Sequence, residues 1–370
     1  MRYPASPRIR LFWLALVCLG AGLILYPSAS VAESRAFRWQ SLSMPSGGRV
    51  AALAMAPDDP NTLLAATDAG VYLSRDGGAR WSENSRGLPT PDILTVAISP
   101  ANPSYYYAGG LRGLFRSRDR GQTWERVGGR LAAETVTVVV PDPRDSKVLY
   151  AGTIRAFFKS SDGGDNWQAL DQAVFSTTTI WTAAVVPAQP QVVYAGGDGS
   201  ALYRSGDAGA SWRVVNSGLP AGARVQHIAV HPQTPAILFA ATTRGLFHSG
   251  DGGANWTAAG GSACQDAALS VEFDRLNPST LYAGLGQGGV CRSVDNGETW
   301  TPANSGLPHT PLLSLVVNPN NPKQVFTATG NGVYGTRNGG DSWAELNRGF
   351  GNAILWLNVP PGKPPLVLAA

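Results

Sequence analysis

The chain has 370 residues, among them 44 glycines, 27 prolines and 11 tryptophans, with 15% charged residues and a formal charge of +4. That mix excludes a disordered or long-helical chain and suits an ordered protein rich in tight turns, long enough to bury a substantial core. The basic balance belongs to the first residues, so composition gives no support to nucleic-acid or anionic-membrane binding.

Arg2, Arg8 and Arg10 precede an apolar run over residues 11–26, and small uncharged residues then lead to Ser30 and Ala32, the −3 and −1 places of a cleavage site before Glu33. Residues 1–32 therefore read as a secretory signal peptide, with an uncleaved anchor as the alternative, because the run is shorter than the roughly 20 residues a membrane helix needs. The remainder, residues 33–370, is expected to be one extracytoplasmic domain: secreted, periplasmic or held at the cell surface. Without those three arginines, the 29 basic residues become 26 against 25 acidic ones. Cys264 and Cys291 remain after cleavage, and an oxidising compartment would allow them either to bond or to stay as separate thiols.

The first box of a repeat is "SRDGGARW", with Asp76 and Trp81. The pattern Ser/Thr, any, Asp, any, Gly, any, any, Trp returns with Asp119 and Trp124, Asp162 and Trp167, Asp207 and Trp212, Asp251 and Trp256, Asp295 and Trp300, and finally Asn338 and Trp343. The acids, with Asn338 as the last, are spaced by 43, 43, 45, 44, 44 and 43 residues. Such a period marks a propeller or another repeat array.

Each unit carries three strand signals before its box and one after it. A hydrophobic strand ends at a proline turn, as in "VAALAMAPDDP" and "LTVAISPANP", although the sixth unit departs with "LSVEFDRLNP". A second strand follows, as in "KVLYAGT", then a short third, as in "GLF", and the box tryptophan opens a fourth. Several units pass into a Gly-Leu-Pro crossover at Gly87, Gly218 and Gly306. No room is left for a helix of 10 to 15 residues, so the expected fold is all-β: a propeller of four-stranded antiparallel blades whose radial stacking shields both sheet faces. Seven blades are expected, with eight as the alternative. The isolated "RWQSL" around Trp39 and the C-terminal "AILWLNVPPGKPPLVLAA" are expected to meet as a clasp of N- and C-terminal strands.

Within the box, the glycine allows the turn, the aspartate accepts nearby backbone N–H groups, the hydroxyl adds a local bond and the tryptophan covers the hairpin. Catalysis does not need seven similar acids around a ring, so all fourteen Asp/Asn and Trp residues named above read as structural. This motif is similar to the Asp-box, or BNR, repeat of sialidases, the sortilin ectodomain, xyloglucan-cleaving hydrolases and photosystem II assembly and stability factors. The "GLF-x-S-x-DGG-x-x-W" ending most resembles the assembly-factor group. That resemblance implies an exported single propeller that assists a membrane complex without chemistry of its own.

A glycoside hydrolase or carbohydrate-binding propeller, sialidase-like or xyloglucanase-like, is the competing expectation. The chain lacks the Phe/Tyr-Arg-Ile-Pro signature that the sialidase resemblance would call for, and it holds one propeller where the xyloglucan-cleaving relatives resemble two. Asp92, Asp171, Asp198 and Asp266 are the acids that could supply a carboxylate pair. His227, His231, His248 and His309 form no compact ligand motif, and no phosphate loop is present, so neither a catalytic residue, a metal site nor a cofactor site is assigned.

The turns between second and third strands and the blade crossovers share one face. Arg112, Arg155 and Arg244 precede third strands, and Arg49, Arg130 and Arg224 precede innermost strands, so all six are candidate partner-binding residues on that face. Together they would recognise carboxylates of a protein or peptide. The resemblance implies a similar basic patch facing a membrane-protein client. Phe175, Trp181 and Trp356 are further candidates. A glycan partner is possible by resemblance alone, a nucleic acid is not expected, and a monomer is.

Overall fold

Each repeat forms four antiparallel strands, because its alternating apolar segments are separated by turn sequences too short for any other connection. The computed structural model describes residues 49–350, except 90, 91, 128, 262 and 263, and two short strands beyond them, Leu357–Asn358 and Leu368–Ala369. Seven sheets of four strands follow in chain order, each with its strands side by side in sequence order: blade 1 over residues 50–83, then 93–127, 136–169, 180–214, 225–259, 268–302 and 312–345. The innermost strands run Val50–Met55, Ile93–Ile98, Val136–Pro141, Ile180–Val186, Val225–Val230, Ala268–Phe273 and Leu312–Val317. Each packs on the next, and the strand of blade 1 on that of blade 7, so the ring closes at seven. All seven blades are complete within their own repeats. Leu357–Asn358 and Leu368–Ala369 pair only with each other among the described residues, while Trp39, Trp356 and residues 1–32 lie outside them.

The Ser or Thr of every box donates to the Asp or Asn two residues on at 2.7 to 2.8 Å. The N–H of the residue before the tryptophan donates to the same acceptor at 2.8 to 3.0 Å. These bonds close the turn locally, and they favour the ionised carboxylate. Asp162, Asp207, Asp251 and Asp295 are accordingly held down at about 2, led by the Asn166 N–H, the Ser211 hydroxyl, the Asn255 N–H and the Thr299 hydroxyl respectively. A carboxyl depressed on folding contributes stability that is present above its unfolded value and lost as pH falls through the folded one. Carboxyl NMR should therefore show these four titrating near pH 2, with stability declining from about pH 4 downward; midpoints at about 3.9 would remove the turn from the account.

Six of the box tryptophans are buried and Trp212 is partly so, and the ring reaches the preceding blade: Trp124 packs with Leu64, Ala66 and Leu73 of blade 1. Burying one such ring contributes on the order of 3 kcal/mol. Junctions between blades are of two kinds. In four of them the tryptophan clasps the preceding crossover through both of its N–H groups. Trp124 donates from its backbone to Arg86 O at 2.9 Å and from its indole to Asn84 O at 2.7 Å. Trp256 uses Ser217 O and Val215 O, Trp343 uses Ser305 O and Ala303 O, and Trp81 closes the ring onto Arg348 O and Leu346 O. Under each clasp lies a glycine, Gly87, Gly218, Gly306 or Gly349, placed where a Cβ would overlap the tryptophan carbonyl.

Trp167, Trp212 and Trp300 instead turn their indoles to Gly164, Gly209 and Gly297 of their own boxes. Their junctions are filled by added segments. A 3-10 helix, Gly129–Ala133, follows blade 2, and a short α-helix, Gln172–Phe175, follows blade 3. After blade 5, Cys264 bonds to Cys291 in the third strand of blade 6, with Cα atoms 6.3 Å apart. Reduction of this bridge, which closes a loop of sequence separation 27, is expected to cost about 3 kcal/mol. Urea unfolding with and without reductant checks it, and an unchanged midpoint would show the bridge to be energetically idle.

Candidate partner-binding face

The strand order places the second-to-third turns and the crossovers at one end of the blades and the boxes and proline turns at the other. At the box end, the carboxylates of the box aspartates are committed to their turns. The proline turns are likewise closed from within: Asp142 Oδ1 accepts from Arg144 and Asp145 N–H groups, and His231 Nδ1 accepts from Gln233 and Thr234. An Nδ1 that accepts two N–H groups belongs to a neutral imidazole, and burial lowers the His231 pKa in the same direction. No cluster of metal-ligating side chains occurs among the described residues.

At the crossover end the six arginines divide. Arg49 pairs with Asp68 at 3.4 Å, and Arg224 holds Asp198 at 2.6 Å while its guanidinium lies 4.6 Å from the Trp181 ring centre. Trp181 in turn donates its indole N–H to Asp198 at 3.0 Å. These three form a closed unit, which also engages Asp198, one of the acids considered for hydrolysis. Phe175 is fully buried, 5.2 Å from both Tyr203 and Trp212, and is a core residue.

Arg112, Arg130, Arg155 and Arg244 are exposed and form no ion pair among the described residues. Arg112 follows Leu111, which is 52% exposed, and Arg155 follows Ile154, 42% exposed, at matching turns of the adjacent blades 2 and 3. No other second-to-third turn pairs a large aliphatic with an arginine. The 3-10 helix that carries Arg130 packs over the blade 2 turn, where a Cβ on Gly113 would come 3.0 Å from the Leu131 and Ala132 carbonyl oxygens. Arg112 and Arg130 thus share one neighbourhood. The unengaged part of the face is a cationic and aliphatic strip along blades 2 and 3. It can bind a carboxylate bidentately while its aliphatic side chains lose water.

The ring axis holds a residue that sequence reasoning left unassigned. The fifth position of the innermost strand is Ala54, Ala97, Val140, Ala184, Ala229 and Val316 in six blades, opposite Leu64, Tyr107, Tyr150, Tyr194, Phe239 and Phe326 of the neighbouring strands; blade 6 has Glu272 there, opposite Tyr282. Its signal was the break in pattern at "LSVEFDRLNP". His227 of blade 5 approaches it at 3.8 Å while its Nδ1 lies 3.0 Å from Val271 O. Glu272 keeps 34% of its side chain open to solvent. Desolvation there pushes its carboxyl above the ordinary carboxylate range, against the opposing pull of His227 and Arg275.

Fold and box geometry together define a seven-bladed Asp-box propeller. Two family profiles match parts of the chain: "Photosynthesis system II assembly factor YCF48" over residues 31–184, and "Sortilin, neurotensin receptor 3" over residues 155–278. Neither spans half of it. No curated protein sequence matches the chain. Among solved structures, the GH74 xyloglucanase from Xanthomonas campestris is similar with a TM-score of 0.69 and 22% identity, over 84% of this chain and 56% of that one. The GH74 enzyme of Niastella koreensis gives 0.70 and 18%, over 88% and 58%. A YCF48 bound to D1 peptide gives 0.59 and 17%, over 80% of this chain and 95% of its own. The chain spans a little over half the length of those two GH74 enzymes. At these identities the likeness is one of fold.

Proposed function

We propose that this chain is an extracytoplasmic propeller, without catalytic machinery of its own, that binds a protein or peptide segment bearing carboxylates and serves as an assembly or stability factor for a membrane protein complex. The observation that carries this reading is the pair of turns Leu111-Arg112 and Ile154-Arg155, each an exposed aliphatic beside an unengaged guanidinium, joined by Arg130. The leader-like residues 1–32 support export. The similarity to a YCF48 bound to D1 peptide supports a peptide as the class of partner. Arg244 extends the surface toward blade 5, whereas Arg49 and Arg224 serve to hold turns.

A library of acidic peptides, each made with a free C-terminal carboxylate and as its amide, tests the reading by fluorescence anisotropy against the full chain. Carboxylate-bearing peptides are expected to bind and to weaken steeply with added salt, as charge-led recognition requires. Binding to neither form, or binding indifferent to salt and to charge, would contradict it.

A further inference from the structure

On the box side, blades 2, 3, 4 and 6 reach toward the box turn of the next from one or both of two places: the second-strand residue opposite the fifth innermost position and the third-strand residue before the box Ser or Thr. Arg116 Nη1 donates to Gly163 O at 2.5 Å, Lys159 Nζ to Ala208 O at 2.7 Å and Arg292 Nη1 to Gly339 O at 2.7 Å. Tyr150, Tyr194 and Tyr282 add hydroxyls to Ala208, Gly252 and Gly339. Arg204, His248 and Leu73 hold the same third-strand place in blades 4, 5 and 1. Blade 7 has Gly335 there, and Phe326 where a tyrosine would supply a hydroxyl. A cavity of about 440 Å³ lies at this junction with blade 1, lined by Gly335, Phe326, Leu346, Gln324 and Gly77 among others. The Gly77 N–H is spent on Asn61 O, but its carbonyl receives no donor among the described residues.

We propose that this cavity takes a lysine side chain from a partner peptide, with the alkyl stem against the Phe326 ring and the ammonium on the Gly77 carbonyl. The molecule holds its own template. Where the neighbouring box has an aspartate two residues after the accepting carbonyl, the arm is an arginine that pairs with it: Arg116 with Asp165 at 2.7 Å and Arg292 with Asp341 at 2.9 Å. Where the neighbouring box has Ala210, the arm is Lys159, which needs only the Ala208 carbonyl and the Tyr150 ring, 5.7 Å away. The junction between blades 7 and 1 has Ala79 in the aspartate's place and Ala344 where blade 2 has Glu125, so its chemistry is that of the lysine junction with the lysine missing. The carbonyl supplies the acceptor and the ring face the cation–π contact. Arg337, in the lining, opposes a cation, so Arg337→Ala is expected to tighten binding.

The probe is n-butylammonium, titrated into the full chain and followed through the Gly77 and Gly335 amide resonances, with n-butanol as the uncharged control. Saturable shifts with n-butylammonium and much smaller ones with n-butanol are expected. Gly335→Lys supplies the arm internally and should abolish the response. Its Cβ needs Leu346 to move, so Phe326→Tyr provides a milder second variant, placing a hydroxyl on the Gly77 carbonyl and weakening the probe at least threefold. The proposal is overturned if the wild type shows no saturable shift, if n-butanol binds as well, or if Phe326→Tyr and a folded Gly335→Lys both bind like the wild type.

Discussion

Gly218→Ala is expected to lower stability by roughly 4 kcal/mol, against about 1 kcal/mol for Gly222→Ala four residues later. Both glycines have left-handed backbones, with φ of +92° and +75°, so any L side chain meets a similar intrinsic penalty at either site. They differ in what a Cβ would touch. At Gly222 nothing lies within 4 Å, whereas at Gly218 the Cβ would run into the backbone carbonyl of Trp256, which cannot move without opening the clasp to Ser217 and Val215. Urea unfolding of the two variants reads the difference directly. Equal losses would mean that the glycine serves only its own turn and that the clasp is not a structural joint.

This joint shows how far the sequence could be read. The blades were legible because period, strand alternation and box recur seven times, each copy reinforcing the others. Gly87, Gly218 and Gly306 could be recognised as crossovers, but their contact with Trp124, Trp256 and Trp343 about 38 residues later depends on the radial packing of one blade on the next. Gly349, in "NRGFG", lacks the Leu-Pro that marks the others, yet sits under Trp81 in the same way. The arginine positions were equally legible, since a turn between second and third strands must lie at the crossover end. Which of them are engaged was not: Arg224 meets Asp198 across a sequence separation of 26, and Arg49 meets Asp68 across 19. The aliphatic neighbours Leu111 and Ile154 carry no signal of exposure in a chain where 44% of residues are hydrophobic. The disulfide needed geometry that spacing alone cannot supply.

The second large effect concerns binding. Arg112 and Arg155 occupy equivalent turns on adjacent blades and have no internal partner among the described residues, so reversing their charge is not expected to unsettle the fold. Each reversal removes a charge-assisted contact and sets a like charge against the ligand carboxylates. Together they are expected to cost roughly 4 kcal/mol, or about a thousandfold in Kd. Arg75→Glu, in a box turn at the opposite end of the blades, is the control for charge reversal away from the crossover face.

The most direct measurement is the Kd of the tightest carboxylate peptide for the wild type, the Arg112→Glu/Arg155→Glu double variant and Arg75→Glu, each with its urea midpoint. A loss of about a thousandfold confined to the double variant, with all three midpoints alike, is the predicted result. A double variant that binds as tightly as the wild type with its fold intact would contradict the assignment of partner binding to the crossover face.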